Sequence, residues 1–241
     1  MSHKRVYFIH IRKTAGTAMR EQIAFNVPKE KRLPELSEFE LFAKHPKEGI
    51  ERYLENFDFY SGHYYTLRNY LPEDTFTFTI LRDPVSRMIS EINHIYSDKM
   101  DLLHEHVKDM KKAEALDDPR MKETLENSQT RYMVGNAGED YDSLDERERL
   151  EVAKGFLDEL SFVGIQEQFN TSIFLLSREL GWRLPPKIKK INEKITQNGM
   201  KVHHRIPFIG KIYNLNRLDI QLYRYAQTLF DRRVLKKLKE V

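Results

Sequence analysis

A lysine, two threonines and a glycine stand together at Lys13-Thr14-Ala15-Gly16-Thr17, behind the apolar run 6–11 and ahead of a helical pattern. Those residue types in that order suit an oxyanion. A turn from strand into helix aims several backbone N–H groups at one point, and the helix start adds partial positive charge there. Gly16 lets the main chain approach the anion, Thr14 and Thr17 offer hydroxyl donors, and Lys13 offers a mobile full charge. The order is not that of a Walker A loop, where a lysine follows the second glycine; here the lysine comes first. Ordinary ATPase or GTPase chemistry is disfavoured, while a divergent small-molecule or nucleotide kinase stays open. A charged turn before an ordinary helix would use the same residues.

Two further positions could act with that turn. Arg82 follows a second apolar run and leads into Asp83-Pro84, with Ser90 further along the next helical pattern. An arginine after a buried strand commonly serves as a salt bridge or cap; two successive turns, each with a cation and hydroxyls, also suit a ligand with two anionic groups. The helical spacing puts Ser90 beside Arg87 and does not by itself bring it to Arg82. His63 follows Gly62 at the end of a third apolar run, where an imidazole that titrates near neutrality could serve as acid or base. A histidine bonded to a backbone carbonyl is the alternative. His10 falls within the first strand pattern and reads as structural, and the remaining histidines form no set of metal ligands with nearby carboxylates.

These residues need a scaffold that presents strand ends. The run 6–11 lacks strict alternation, as expected of a central strand buried on both faces. Residues 15–25 carry a helical stripe closed by Pro28, and Ile50, Tyr53, Leu54 and Phe57 recur at helical spacing after Pro46. Strands are expected over 57–61, 75–81 and 161–165. Asp83 is placed to cap a helix whose first turn holds Pro84 and which runs through Val85, Met88, Ile89, Ile92 and Ile95. Helices are also expected over 98–118, 122–133, 144–157, 169–180 (ended by Gly181) and 215–238. Strand, polar turn and helix thus occur in succession twice, the arrangement by which open α/β sheets place ligands at strand ends.

With 241 residues the chain suits one domain, with a helical insertion expected at 98–133 and an irregular basic loop at 183–210. The absence of cysteine excludes disulfides, thiolate metal sites and cysteine nucleophiles. A net charge of +3 is far below that of a dedicated nucleic-acid binder. No window is long and apolar enough for a signal-peptide core or a membrane span, so a soluble, cytoplasmic location is the expectation, with the oligomeric state open.

His10-Ile11-Arg12-Lys13-Thr14-Ala15-Gly16-Thr17 resembles the 5′-phosphosulfate loop of sulfotransferases that use 3′-phosphoadenosine 5′-phosphosulfate (PAPS). It is most similar to the carbohydrate branch that includes the heparan sulfate 2-O- and 6-O-sulfotransferases. The segment from Leu81 to Ser90 resembles that branch's 3′-phosphate motif, and Gly62-His63 the segment that supplies its catalytic base. Asn127-Ser128-Gln129-Thr130-Arg131-Tyr132, Phe162-Val163-Gly164-Ile165-Gln166-Glu167 and Leu218-Asp219-Ile220-Gln221-Leu222-Tyr223 are similar to further family segments, in the family's order.

The resemblance implies a P-loop-like three-layer sandwich, α/β, with a central, mostly parallel sheet flanked by helices. It implies sulfuryl transfer from PAPS to a carbohydrate hydroxyl, with adenosine 3′,5′-bisphosphate as product and no metal. His63 would be the base, and Lys13 would stabilise the leaving group. Arg12, Lys13, Thr14, Ala15, Gly16, Thr17 and Ala18 would hold the 5′ side, and Arg82 and Ser90 the 3′ phosphate. Gln129, Arg131 or Tyr132 would face the cleft, and the 183–210 region, with Lys187, Lys189, Lys190, Lys194 and Lys201, would close over nucleotide or an acidic glycan.

Arg12 stands where the family usually has proline, and Ala18 where it commonly has serine or threonine. Arg12 is left either on the sulfate or acceptor or turned away. A non-catalytic module that binds nucleotides or sulfated glycans is the remaining alternative.

Overall fold

The computed structural model describes residues 5–184 and 207–239. Four strands form one parallel sheet in the order β2-β1-β3-β4: β1 (Val6–Ile9), β2 (Phe59–Gly62), β3 (Phe76–Leu81) and β4 (Phe162–Ile165). Every residue of β1, β3 and β4 is buried, because helices cover both faces; Thr77 and Thr79, which alternate with Phe76 and Phe78 in β3, are buried as well and mark no solvent face. The expected fold class, a parallel sheet sandwiched by helices, is the one observed.

Register decides which chain segments meet. Ile9 pairs with Gly62 on one side and with Thr79 on the other. The segments leaving β1, β2 and β3 therefore emerge together at one edge of the sheet. The chain runs from β1 to β2 on one side and returns to β3 on the other, so the connections after β1 and β3 diverge and leave a crevice between them.

Helix α1 (Gly16–Asn26) follows β1, and α4 (Pro84–Ser97) follows β3. Between them lie α2 (Glu38–Lys44) and α3 (Lys47–Leu54). Helix α2 had no counterpart among the sequence expectations, although Ser37 and Glu40 form a capping box at its start, a spacing visible in the sequence.

The segment expected as one helix over 98–118 is instead α5 (His104–Val107) and α6 (Lys112–Ala115) joined by turns. Short acidic side chains interrupt it: Asp98 accepts from Met100 N–H and Asp101 from Leu103 N–H, both at 3.0 Å. The expected helix over 122–133 is likewise split. α7 (Pro119–Leu125) ends before Asn127, whose φ of 43° is left-handed, and α8 (Ser128–Asn136) begins after it.

α9 (Glu146–Glu159) starts on an Asp145/Glu148 capping box. α10 (Phe169–Leu180) stops at Gly181, whose φ of 66° ends the helix as expected. α12 (Arg217–Leu238) is the expected last helix, and the short α11 (Ile209–Leu215), which had no counterpart among the sequence expectations, precedes it. Val85, Met88, Ile92 and Ile95 of α4 form a second apolar cluster with Val107, Leu116, Met121 and Ile212, apart from the core around the sheet. The lysines named in the 183–210 loop lie outside the described residues. No helix among the described residues is long and apolar enough to cross a membrane.

Candidate active site

The loop between β1 and α1 is built to leave donors open. Ala15, at the head of α1, has φ 88° and makes no side-chain cap, and Lys13 has φ 65°. Left-handed backbone costs a non-glycine residue about 1–2 kcal/mol, so two such residues in one turn represent strain held by the surrounding fold. The first backbone bond of α1 runs from Met19 N–H to the Ala15 carbonyl at 3.1 Å, which leaves the N–H groups of Gly16, Thr17 and Ala18 at its open end. Thr17 is exposed beside them. The Lys13 ammonium has no hydrogen bond or ion pair among the described residues. Burial lowers its pKa from the ordinary lysine value, opposed by Glu91 and reinforced by Arg12 and Arg82.

A groove of about 660 Å³ runs along this loop and is lined by Lys13, Gly16, Thr17, Ala18, Arg82 and Ser90. The structure thus brings Ser90 and Arg82 to one groove, which helical spacing alone did not require. Arg82 is buried and reaches across the crevice, its guanidinium donating to the Lys13 carbonyl at 3.0 Å. Its Nε has no partner although no solvent reaches it, and burial lowers its pKa. A buried cation with an unused donor beside three open N–H groups suits an anionic ligand.

Thr14 and Arg12 depart from the donor-binding role that the resemblance implies, and Gly16 meets a further constraint. Thr14 is wholly buried and its hydroxyl donates to the Ile11 carbonyl at 2.9 Å, so it closes the turn and offers no donor to the groove. Gly16 is required by a neighbour: a Cβ there would overlap Nε2 and Cε1 of His10. Arg12 is turned to protein carboxylates. Its Nε lies 2.7 Å from buried Glu91 and its terminal nitrogen 2.6 Å from Asp101, so its guanidinium braces the loop against α4 and the segment behind it.

A second cavity, of about 1580 Å³, opens beside the groove. The two share His63, Arg12 and Asp101 along their common wall. His63 is accessible at that junction, and its Nδ1 lies 2.8 Å from the His10 carbonyl. A carbonyl can only accept, so Nδ1 carries the proton and Nε2 keeps its lone pair. The bond to a backbone carbonyl, which by itself reads as structural, here selects the tautomer a base needs. Burial lowers the His63 pKa, with Arg12 and Arg20 adding to the shift and the His10 bond and Glu91 opposing it.

Arg131 and Tyr132 line the larger cavity, with Tyr132 stacked on Tyr65 at 4.1 Å and the Arg131 guanidinium 4.0 Å over the Tyr141 ring. Gln129 does not face it. Fully buried, Gln129 accepts from Arg82 N–H at 3.0 Å and donates to the Arg82 carbonyl at 2.9 Å, fixing the backbone of the groove's arginine. Asp83 accepts from Ser86 N–H at 2.8 Å, as a cap. That is the carboxylate a kinase would have needed at this strand end, and among the described residues no group of acidic and histidine side chains has metal-site geometry.

Residues 2–240 match the family model for galactose-3-O-sulfotransferases. The chain belongs to that family. A search of curated protein sequences finds no match. The protein is therefore a carbohydrate sulfotransferase, and its enzymatic class agrees with the one implied by its strand-end motifs.

Several supports of this sulfotransferase's cleft escaped sequence reasoning. Buried Asp219 on α12 accepts from Gln129 N–H at 3.0 Å and from Thr130 N–H and hydroxyl at 2.7 Å, holding the start of α8 in place under Gln129. Burial raises its pKa, opposed by Arg87 and these bonds. The signal was an acid on the apolar stripe formed by Leu218, Leu222 and Ala226. Glu91 gives the same signal among Met88, Ile92 and Ile95.

Proposed function

We propose that the protein moves the sulfuryl group of PAPS to a hydroxyl of a galactose-bearing saccharide, the 3-hydroxyl by the family's description, with His63 as base and Lys13 at the leaving group. The observation that carries this reading is the junction of groove and cavity at His63, whose Nδ1 bond to His10 leaves Nε2 free to accept a proton.

The open N–H groups of Gly16, Thr17 and Ala18 and the Lys13 ammonium would hold the 5′-phosphosulfate; the Arg82 guanidinium and Ser90 hydroxyl, on the opposite wall, would hold the 3′ phosphate. The groove's buried unpartnered Nε and uncapped helix start fit such a doubly anionic donor. PAPS supplies an activated sulfuryl group. His63 Nε2 takes the proton of the acceptor hydroxyl as its oxygen forms a bond to sulfur. The bond from sulfur to the bridging phosphate oxygen breaks, and adenosine 3′,5′-bisphosphate leaves with the electron pair. Lys13 and the N–H groups stabilise the charge that grows there. Positioning and electrostatic preorganisation supply most of the rate. The cavity beyond His63, with Tyr65, Tyr132 and Arg131 on its wall, is of a size for saccharide rings and offers them aromatic faces and polar groups.

Calorimetry with adenosine 3′,5′-bisphosphate, PAPS and ATP tests the donor, and a labelled-PAPS screen over galactose-terminated saccharides tests the acceptor. Tighter binding of the bisphosphate than of ATP, with label on galactose, is expected. Preference for ATP would overturn the donor assignment, and PAPS binding without transfer to any saccharide would point to a binding module.

A further inference from the structure

His10 belongs to neither cavity's proposed chemistry, yet it touches both halves of the site. We infer that His10 is a positioning residue that couples the donor loop to the base: its ring sets where Gly16 and His63 sit relative to each other. This rests on the sulfotransferase reading, in which the loop binds the donor and His63 takes the proton.

Register places it there. Ile9 and Gly62 are paired on adjacent parallel strands, so the next residues, His10 and His63, leave the sheet side by side. Phe8 and His10 are two residues apart and face the same way, and Phe8 pairs in register with Phe78 on β3. The result is a column of rings rising from the core to the site. Phe78 stacks on Phe8 at 4.9 Å, Phe8 on His10 at 5.2 Å, and His10 meets His63 at 4.4 Å, tilted by 39°. The column's lower rings are anchored in the sheet core and are 1 % or less exposed, so His10 has little freedom to move.

Two contacts then pass that fixed position outward. The His10 carbonyl accepts from His63 Nδ1 at 2.8 Å, while the His10 ring packs against the side of the same imidazole. On its other edge, Nε2 and Cε1 of His10 occupy the space that a Cβ on Gly16 would need. Gly16 begins α1 and lies among the N–H groups assigned to the donor. One ring thereby spaces the anion loop from the base. Burial, reinforced by His63, Arg20 and Arg12, lowers the His10 pKa to about 3, so at neutral pH it stands beside His63 without adding a charge.

A double-substitution cycle on the full chain, with Gly16→Ala and His10→Ala, tests the coupling. Its readouts are calorimetric affinity for adenosine 3′,5′-bisphosphate, kcat and KM for transfer from PAPS, and the thermal midpoint. Residues in contact couple, so Gly16→Ala alone is expected to weaken the bisphosphate about tenfold or more, and the same change on the His10→Ala background less than about threefold. His10→Ala alone should lower kcat about tenfold, the scale of a loosened base, with donor KM changed less than about threefold. Equal losses from Gly16→Ala on both backgrounds, or unchanged kcat in His10→Ala, would overturn the proposal. His10→Asn, which keeps a planar polar group, replaces His10→Ala if the smaller side chain does not fold, and the same outcomes decide. If the unsubstituted chain neither binds the bisphosphate nor transfers sulfate, the sulfotransferase reading fails. The midpoints then still report the contact: a drop from Gly16→Ala that vanishes without the imidazole confirms it, and an undiminished drop refutes it.

Discussion

The turns after β1 and β3 have the same topology and opposite construction. The β1 turn enters α1 uncapped, through left-handed Lys13 and Ala15, with its first N–H groups open. The β3 turn enters α4 closed: Asp83 caps it, Pro84 fills the first turn, and Asp83 N–H donates to Glu167 at 3.0 Å. Gln129 ties down both backbone groups of Arg82. An open helix start offers successive main-chain donors to an anion; at the capped start Pro84 has no N–H and Ser86 N–H is taken by Asp83, and the groove there is lined by the side chains of Arg82 and Ser90. In the proposed function the β1 turn takes the group that reacts, where preorganised donors matter most, and the β3 turn the group that only anchors.

Substitutions should separate these roles. Lys13→Ala removes the mobile charge at the reacting group and should lower kcat by roughly 10²-fold or more in a transfer assay, the scale of an oxyanion contact. A smaller loss than that from Arg82→Ala would invert the ranking of the two turns. Arg82→Ala should act on affinity, raising the dissociation constant for adenosine 3′,5′-bisphosphate about 10- to 100-fold, as for a lost charged hydrogen bond. A fall in kcat with unchanged affinity would move Arg82 to the reacting side.

The ring column beneath the β1 turn should add a pH signature. His10 has a folded pKa of about 3 against an unfolded value near 6.5, so the unfolded chain binds the proton first as pH falls. The stability it contributes is complete above about pH 6.5 and declines between there and about pH 3, by roughly 2 kcal/mol at pH 5. Denaturant titrations at pH 7 and pH 5 should show that loss, and His10→Asn should lose less; equal losses would remove His10 as the cause.

Asp83→Ala should destabilise by about 1 kcal/mol through the lost cap, seen as a lower thermal midpoint. Ala15→Gly, at φ 88°, should do the reverse by somewhat under 1 kcal/mol. Opposite signs at equivalent positions would express the contrast most simply, and a drop from Ala15→Gly would show that its conformation is not strained.

Local signals in the sequence were enough to read the four strands, the Asp83 cap with Pro84, the stop at Gly181 and the strand-to-helix turns after β1 and β3, because each depends on neighbours in the chain. What escaped was settled across the fold. Asn127 breaks the expected 122–133 helix because its side chain accepts from Leu218 N–H at 2.9 Å, ninety-one positions away. Gln129 turns inward because Arg82 and Asp219 meet it there. Thr14 has the composition of an anion ligand, and only the tight turn shows that its hydroxyl closes on Ile11. Arg12 finds Glu91 and Asp101 through the packing of α4, which periodicity does not reveal.

The most direct measurement is the rate of labelled sulfate transfer from PAPS to a galactose-terminated saccharide by the unsubstituted chain and by His63→Ala, with bisphosphate affinity measured on both. A variant at least roughly 10²-fold slower, yet binding adenosine 3′,5′-bisphosphate as before, is expected of the base at the junction. Transfer by His63→Ala at the unsubstituted rate would contradict it.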